Sequence, residues 1–289
     1  MRYKGIVIRP PSEAGSYILQ VTYGCSHNSC TFCPTYKGVR FSTRPLEEVL
    51  EDIREASALM PETRRVFLAD GNALALPMEN LTEMMESLAA AFPYLERVGI
   101  YANGRDIEGK SSEDLSELRR LGLGIIYLGL ESGDDSVLKR VRKVDSSDAM
   151  VRAVIKARQC GLQVSVIVLL GLAGREGSGD HAIKSAETVS KMNPDYLSAL
   201  TVMVVPGTPL YREQQDGKFF LPDQEGLLAE LRLFLEHCEL DGCTFRTNHA
   251  SNYLPLKGVL SKDKQRLVEA IDRAIGRPEL LRPEHMRAL

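Results

Sequence analysis

The 289-residue chain has no apolar run approaching the ~20 residues that span a bilayer. Its opening stretch, MRYKGIVIRPPSEAG, has no signal-peptide core, so the expected compartment is the cytoplasm, where thiols stay reduced. An excess of charge of one sign is also lacking. A net −3 gives no strong nucleic-acid signal, although it leaves room for a local basic groove. There is no low-complexity linker and no short internal repeat beyond a strand–helix unit. What is present is 44% hydrophobic and 26% charged residues, an ordinary composition for a globular enzyme that can bury a core without metal or disulfide staples. The six cysteines are then read as metal ligands, catalytic groups or packing.

Strand-like and helix-like segments alternate from Ser16 to Pro206. SYILQVTYG, RRVFLAD, LERVGIYAN, LGIIYLGLESG, LQVSVIVLLGL and PDYLSALTVMVVPG read as six strands, each apolar on both faces. Between them lie helical patterns such as PLEEVLEDIREASALM, where Pro45 suits the first turn and Thr43 can cap it. SSEDLSELRRLG and SSDAMVRAVIKARQCG are capped helices ended by Gly122 and Gly161. This alternation predicts parallel pairing with right-handed crossovers, in an open sheet or a barrel. Either way, reactive groups belong at the C-terminal ends of the strands. The unusual loops, including DGNALALP, ANGRD, ESG, GLAGREG and VPGTPLY, all fall there. After Tyr211 the pattern changes to an amphipathic helix, an irregular stretch LDGCTFRTNHASNYLPLKGVL and a final capped helix.

The densest chemistry is TYGCSHNSCTFCPTYKG, which places Cys25, Cys30 and Cys33 within nine residues and no fourth thiol beside them. A structural zinc site takes four protein ligands, so three thiols leave a position open unless His27 or a distant residue completes it. A [4Fe-4S] cluster can be held at three irons with the fourth left for a small molecule. Thiolates suit both, and spacing alone leaves both open.

This stretch resembles the cluster loop of the radical S-adenosylmethionine (radical SAM) superfamily, with Phe32 in the aromatic position before the last cysteine. LGLESGDDSVLKRVRK, VIVLLGLAGRE and VVPGTPLYRE resemble motifs of the branch holding anaerobic coproporphyrinogen oxidases, methylthiotransferases and Elongator-type enzymes. The similarity runs over roughly Tyr17–Phe220. The spacing departs from the family's usual three-then-two by one extra residue, C-x4-C-x2-C. The fold expected on this resemblance is α/β, a partial (β/α)6 TIM-like barrel with a short C-terminal helical cap. Residues 1–15 form a lead-in, 16–220 the core and 221–289 a cap or lid.

The resemblance implies the following roles. Cys25, Cys30 and Cys33 hold a [4Fe-4S] cluster whose open iron chelates SAM, and reductive cleavage gives methionine and a 5′-deoxyadenosyl radical that abstracts hydrogen from substrate. Asp70, Gly71 and Asn72 occupy the place of the glycine-rich turn that meets the SAM ammonium, or form a plain tight turn. Glu131, assisted by Ser132, accepts the ribose hydroxyls. Lys143 pairs with the SAM carboxylate, with Arg140 and Arg142 as neighbours, or lies on a solvated face. Ile167, Leu169, Gly171 and Val205 line the adenine, the first two equally readable as core. Asn103 contacts SAM or substrate, or satisfies a turn. The implied partners are a one-electron donor such as flavodoxin or ferredoxin and a small-molecule substrate.

Cys160 reads as packing, as do Cys238 and Cys243, although their x4 gap repeats half of the cluster loop. FRTNHASNYLPL reads either as a well-bonded loop or as a lid bringing Arg246, Asn248, His249 and Asn252 to a substrate. The alternative to a radical enzyme is a zinc- or iron–sulfur-binding scaffold or sensor on the same fold. The chain reads as too short for the extra domains of methylthiotransferases and as lacking the acetyltransferase domain of Elongator-type proteins, so the expectation is a compact core suited to a small or medium substrate.

Overall fold

The computed structural model describes residues 2–288. In chain order, β1 (Tyr17–Gln20) precedes β2 (Thr22–Tyr23), which pairs antiparallel with β3 (Ser42–Thr43) and so ties together the two ends of the cysteine-bearing segment. Then come α1 (Leu46–Leu59), β4 (Arg65–Ala69), α2 (Met78–Ala91), β5 (Arg97–Ala102), α3 (Gly104–Glu108), α4 (Ser112–Arg120), β6 (Leu123–Glu131), α5 (Asp135–Arg140) and α6 (Ser147–Gln159). The chain continues through β7 (Gln163–Leu170), α7 (Gly174–Met192), β8 (Tyr196–Thr201), α8 (Pro209–Gln215), α9 (Gln224–His237), β9 (Thr244–Arg246), β10 (Lys257–Val259) and α10 (Leu260–Ala274). Among the described residues no helix is long and apolar enough to cross a membrane.

The chain divides into two compact units that do not follow chain order. The first runs through Asn28 and adds Thr35–Leu128 and Arg152–Val164, while the second comprises Ser29–Pro34, Gly129–Val151 and everything from Ser165 onward. In the first, β1, β4, β5 and the start of β6 pair in parallel in that order. Val66, Phe67, Leu68 and Ala69 of β4 are all fully buried, as a parallel strand covered on both faces requires. Val49, Ile53 and Ala56 of α1 form its buried stripe. The predicted Thr43 cap is not made: Thr43 pairs with Thr22 in the β2–β3 ladder, and Pro45 stands directly before α1 with no side-chain cap. The predicted cap of α4 is made. Ser111 Oγ accepts from Asp114 N, the Asp114 carboxylate accepts from Ser111 N, and Gly122 follows at φ +104°.

In the second unit β7, β8 and β9 are parallel, and β10 returns antiparallel on β9. The six predicted parallel strands are therefore present, but the segment read as irregular supplies two more. β9 and β10 are three residues each, too short for an alternating pattern to register. The polar residues between them serve the structure itself. Asn252 is buried: its Nδ2 donates to Ala199 O and Thr247 O, and its Oδ1 accepts from Thr201 Oγ1. The lid reading of this segment gives way at Asn252 to a bonded loop.

Asp134 caps α5, accepting from Ser136 N and pairing with Lys184 Nζ at 2.7 Å. Burial works against its ionised form, but the bonds from Lys184 and Ser136 outweigh it and draw the carboxyl from 3.8 down to about 2. A depressed carboxyl contributes stability that is fully present above its unfolded value and is lost as pH falls through the folded one. Asp134→Asn should therefore flatten the acid limb of stability between about pH 4 and pH 2. Urea unfolding across that range is the check, and an unchanged slope would refute the assignment.

Candidate functional site

The first unit carries Cys25, held by the turn after β4. Gly24 N donates to Asp70 Oδ2 (3.2 Å) and Ser26 N donates to Asn72 Oδ1 (2.9 Å), so both amides flanking Cys25 are bound by side chains of one turn. Asn72 Nδ2 donates in addition to Ser26 Oγ (2.7 Å) and Asp106 Oδ2 (2.8 Å). Gly71 lies between the two clamps at φ +22°. A Cβ there would meet Gly24 O at 2.1 Å and Cys25 Cα at 2.6 Å. Tyr36, which the sequence reading passed over, closes the arrangement: its hydroxyl donates to Asp70 Oδ1 and accepts from Gly71 N (2.9 Å). Burial, reinforced by the Asp70 carboxylate, pushes the Tyr36 phenol far above its usual range, so it stays a neutral donor. The four residues between Cys25 and Cys30 turn at Asn28, at φ +39°, whose Nδ2 donates to Tyr36 O (2.6 Å) and Val39 O (3.0 Å). Asn103 ends β5. Its N donates to Asp106 Oδ2 (2.8 Å), and its Nδ2 is buried with no protein partner.

The second unit carries Cys30 and Cys33. The peptide between them is pinned at both ends, with Thr31 N donating to Val141 O (2.9 Å) and Leu210 N donating to Thr31 O (3.1 Å). Phe32 packs on an apolar group formed by Val137, Val141, Leu172, Val202, Leu210 and Phe219, which Leu169 also joins. At the end of β6, Glu131 adopts φ +65° and Lys143 Nζ donates to its Oε1 at 3.1 Å, with the side chains 13% and 7% exposed. Gly129 makes room for this pair, since a Cβ there would fall 2.1 Å from Glu131 Oε1. Ser132 is fully buried and its Oγ accepts from Asp134 N. On β7, Val166, Val168 and Leu170 are buried while Ile167 and Leu169 are partly exposed, so the latter two share the more open face. Gly171 follows at φ +79°. Val205 is partly exposed and its carbonyl accepts from Thr208 Oγ1 (2.7 Å). Arg140 is committed elsewhere, to the Leu172 and Ala173 carbonyls.

Cys25, Cys30 and Cys33 are each partly exposed, whereas Cys238 and Cys243 are buried and burial raises the Cys238 thiol. Among the described residues no three His, Cys, Asp or Glu side chains converge as a single-ion site requires. Thiolates that each take a different iron of a cluster need no such convergence. By its chemistry the donor set suits a cluster held at three irons: three partly exposed thiols within nine residues of the sequence. A profile of the Radical SAM superfamily matches residues 19–186, more than half of the chain and all of this loop. The chain belongs to that superfamily.

Radical SAM relatives agree with the branch expected from the motifs. The heme chaperone HemW of Bacillus subtilis is 23% identical over 225 residues, covering 75% of this chain and 58% of that protein. The tRNA-2-methylthio-N(6)-dimethylallyladenosine synthase of Fusobacterium nucleatum is 22% identical, covering 61% and 41%. The chain thus spans less than two thirds of either. Among solved structures, coproporphyrinogen III oxidase (HemN) from Escherichia coli superposes with TM-score 0.59 at 18% identity, covering 76% of this chain and 52% of that one. Methylornithine synthase (PylB) gives 0.54 at 19%, covering 90% and 80%. These likenesses are of fold, a radical SAM partial barrel of mostly parallel strands. The family's cofactors are a [4Fe-4S] cluster and SAM.

Proposed function

We propose that the chain reductively cleaves SAM and uses the resulting radical to abstract hydrogen from a small or medium substrate. When bound, the cluster and SAM supply one electron and a cleavable carbon–sulfur bond, giving methionine and a 5′-deoxyadenosyl radical. Cys25, Cys30 and Cys33 hold the cluster. The observation that carries this reading is that set of three accessible thiols, with no fourth beside them, inside the family-matched residues. Asp70 and Asn72 fix the backbone on both sides of Cys25, and the carbonyls of their turn face the SAM ammonium. Phe32 keeps water from one side of its loop. Glu131 accepts from the ribose hydroxyls, Lys143 neutralises the SAM carboxylate, and Ile167, Leu169, Gly171 and Val205 border the adenine. The one-electron donor belongs to the flavodoxin or ferredoxin class.

A cleavage assay tests this. Protein purified without oxygen, reconstituted with iron and sulfide, reduced with dithionite and given SAM should yield 5′-deoxyadenosine by mass spectrometry. Cys30→Ala should yield none. A parent that binds zinc in place of a cluster, or that holds a cluster and leaves SAM intact even with cell extract supplying substrate, would sink the proposal in favour of a scaffold or sensor.

A further inference from the structure

Deep in the second unit, α9 places Glu230 against the turn that follows β7. The Glu230 side chain is fully buried, as is that of His181 on α7. Glu230 Oε1 accepts from Gly171 N at 2.8 Å and lies 3.0 Å from His181 Nδ1, while Oε2 accepts from Ser178 Oγ. His181 Nε2 is buried without a protein partner. Leu221 and Leu227 lie 2.8 and 3.0 Å from where a Gly171 Cβ would sit, so the turn is set by groups from the C-terminal third on its apolar side and by Glu230 on its polar side. A carboxylate on the face of α9 that buries Leu227, Leu231 and Phe234 needs buried partners, and Gly171 N, His181 Nδ1 and Ser178 Oγ supply them.

We infer that Glu230 is a positioning residue for the SAM site: it fixes the Gly171 amide, and with it the turn that borders the adenine. The segment beyond the family-matched residues is thereby a constituent of the cofactor site rather than a separable cap. This rests on the radical SAM reading for its ligand but not for its structural half.

Two readouts separate those halves. The first is amide hydrogen exchange at Gly171 in the unloaded protein, which should be slow in the parent and at least about tenfold faster in Glu230→Ala. The second is SAM affinity of the reconstituted protein by equilibrium dialysis. It should weaken about tenfold or more in Glu230→Ala with iron content unchanged, and return most of the way in Glu230→Gln, which keeps an acceptor for Gly171 N. If Glu230→Ala does not fold, Glu230→Asp is the second variant. It keeps the charge but withdraws the oxygens by one bond, and should weaken binding in the same way. Unchanged exchange at Gly171 overturns the inference, as does parent-like SAM affinity in Glu230→Ala or Glu230→Asp. A parent that binds no SAM while Gly171 exchange still depends on Glu230 overturns the functional reading and leaves the positioning role standing.

Discussion

Gly71→Ala should cost the protein most of its cluster. The added methyl carbon would lie 2.1 Å from Gly24 O and 2.6 Å from Cys25 Cα, and both are backbone atoms that cannot rotate aside. Either the Asp70–Asn72 turn withdraws, releasing the amides of Gly24 and Ser26, or Cys25 moves. Overpacking of this kind costs about 3 kcal/mol where nothing flexible can yield. The local loss falls on Cys25, proposed above to hold the cluster, rather than on the core. Iron analysis after anaerobic reconstitution should show well under half of the parent's content, with the visible absorbance of the cluster reduced in proportion. Gly207→Ala is the control. Its φ of +89° makes it strained as well, but a Cβ there has nothing within 4 Å, so it should retain full iron. Equal iron in the two variants would show that Cys25 is not set by this turn.

A comparable effect on stability is expected at Glu131. Its ion pair with Lys143 is nearly enclosed, so Glu131→Gln takes a carboxylate away from an ammonium that is only 7% exposed. Breaking a buried pair from one side costs about 3 kcal/mol. Urea unfolding should show that loss, and Glu131→Gln with Lys143→Met should recover much of it, since the double variant buries no charge. Strict additivity of the two single changes would argue against a coupled pair. Glu131→Gly separates stability from function. It removes the same carboxylate but relieves a left-handed backbone that costs a side chain about 1 kcal/mol. It should be less destabilised than Glu131→Gln yet bind SAM no better.

The parallel core was legible because each of its strands is long enough, and separated by enough helix, for a period to be counted. β9 and β10 were not, because three residues carry no period. At the site, the cysteines and the strand-end loops could be read directly, but the partners of those loops could not. Asp70 and Asn72 lie 46 residues from the amides they hold, a relation that only the folded chain creates. Tyr36 stood inside the quoted cysteine stretch with nothing in its spacing to mark it. Asn252 stands out in the sequence by its polarity, and its buried bonds use that polarity to tie the loop to β8. Glu230 had a signal that went unused: an acid within the apolar stripe of an amphipathic helix is out of place unless something buried needs it.

The contacts that hold the backbone beside the three cysteines do not run through the thiols. Gly24 and Ser26 are held by side chains, Thr31 by two backbone bonds and Phe32 by apolar packing, and none of these contacts is made by a sulfur. Oxygen damage should therefore strip the cluster without unravelling its nest. An emptied protein that stays folded would then be open to refilling with iron and sulfide, and iron content over repeated rounds of unloading and reconstitution checks this.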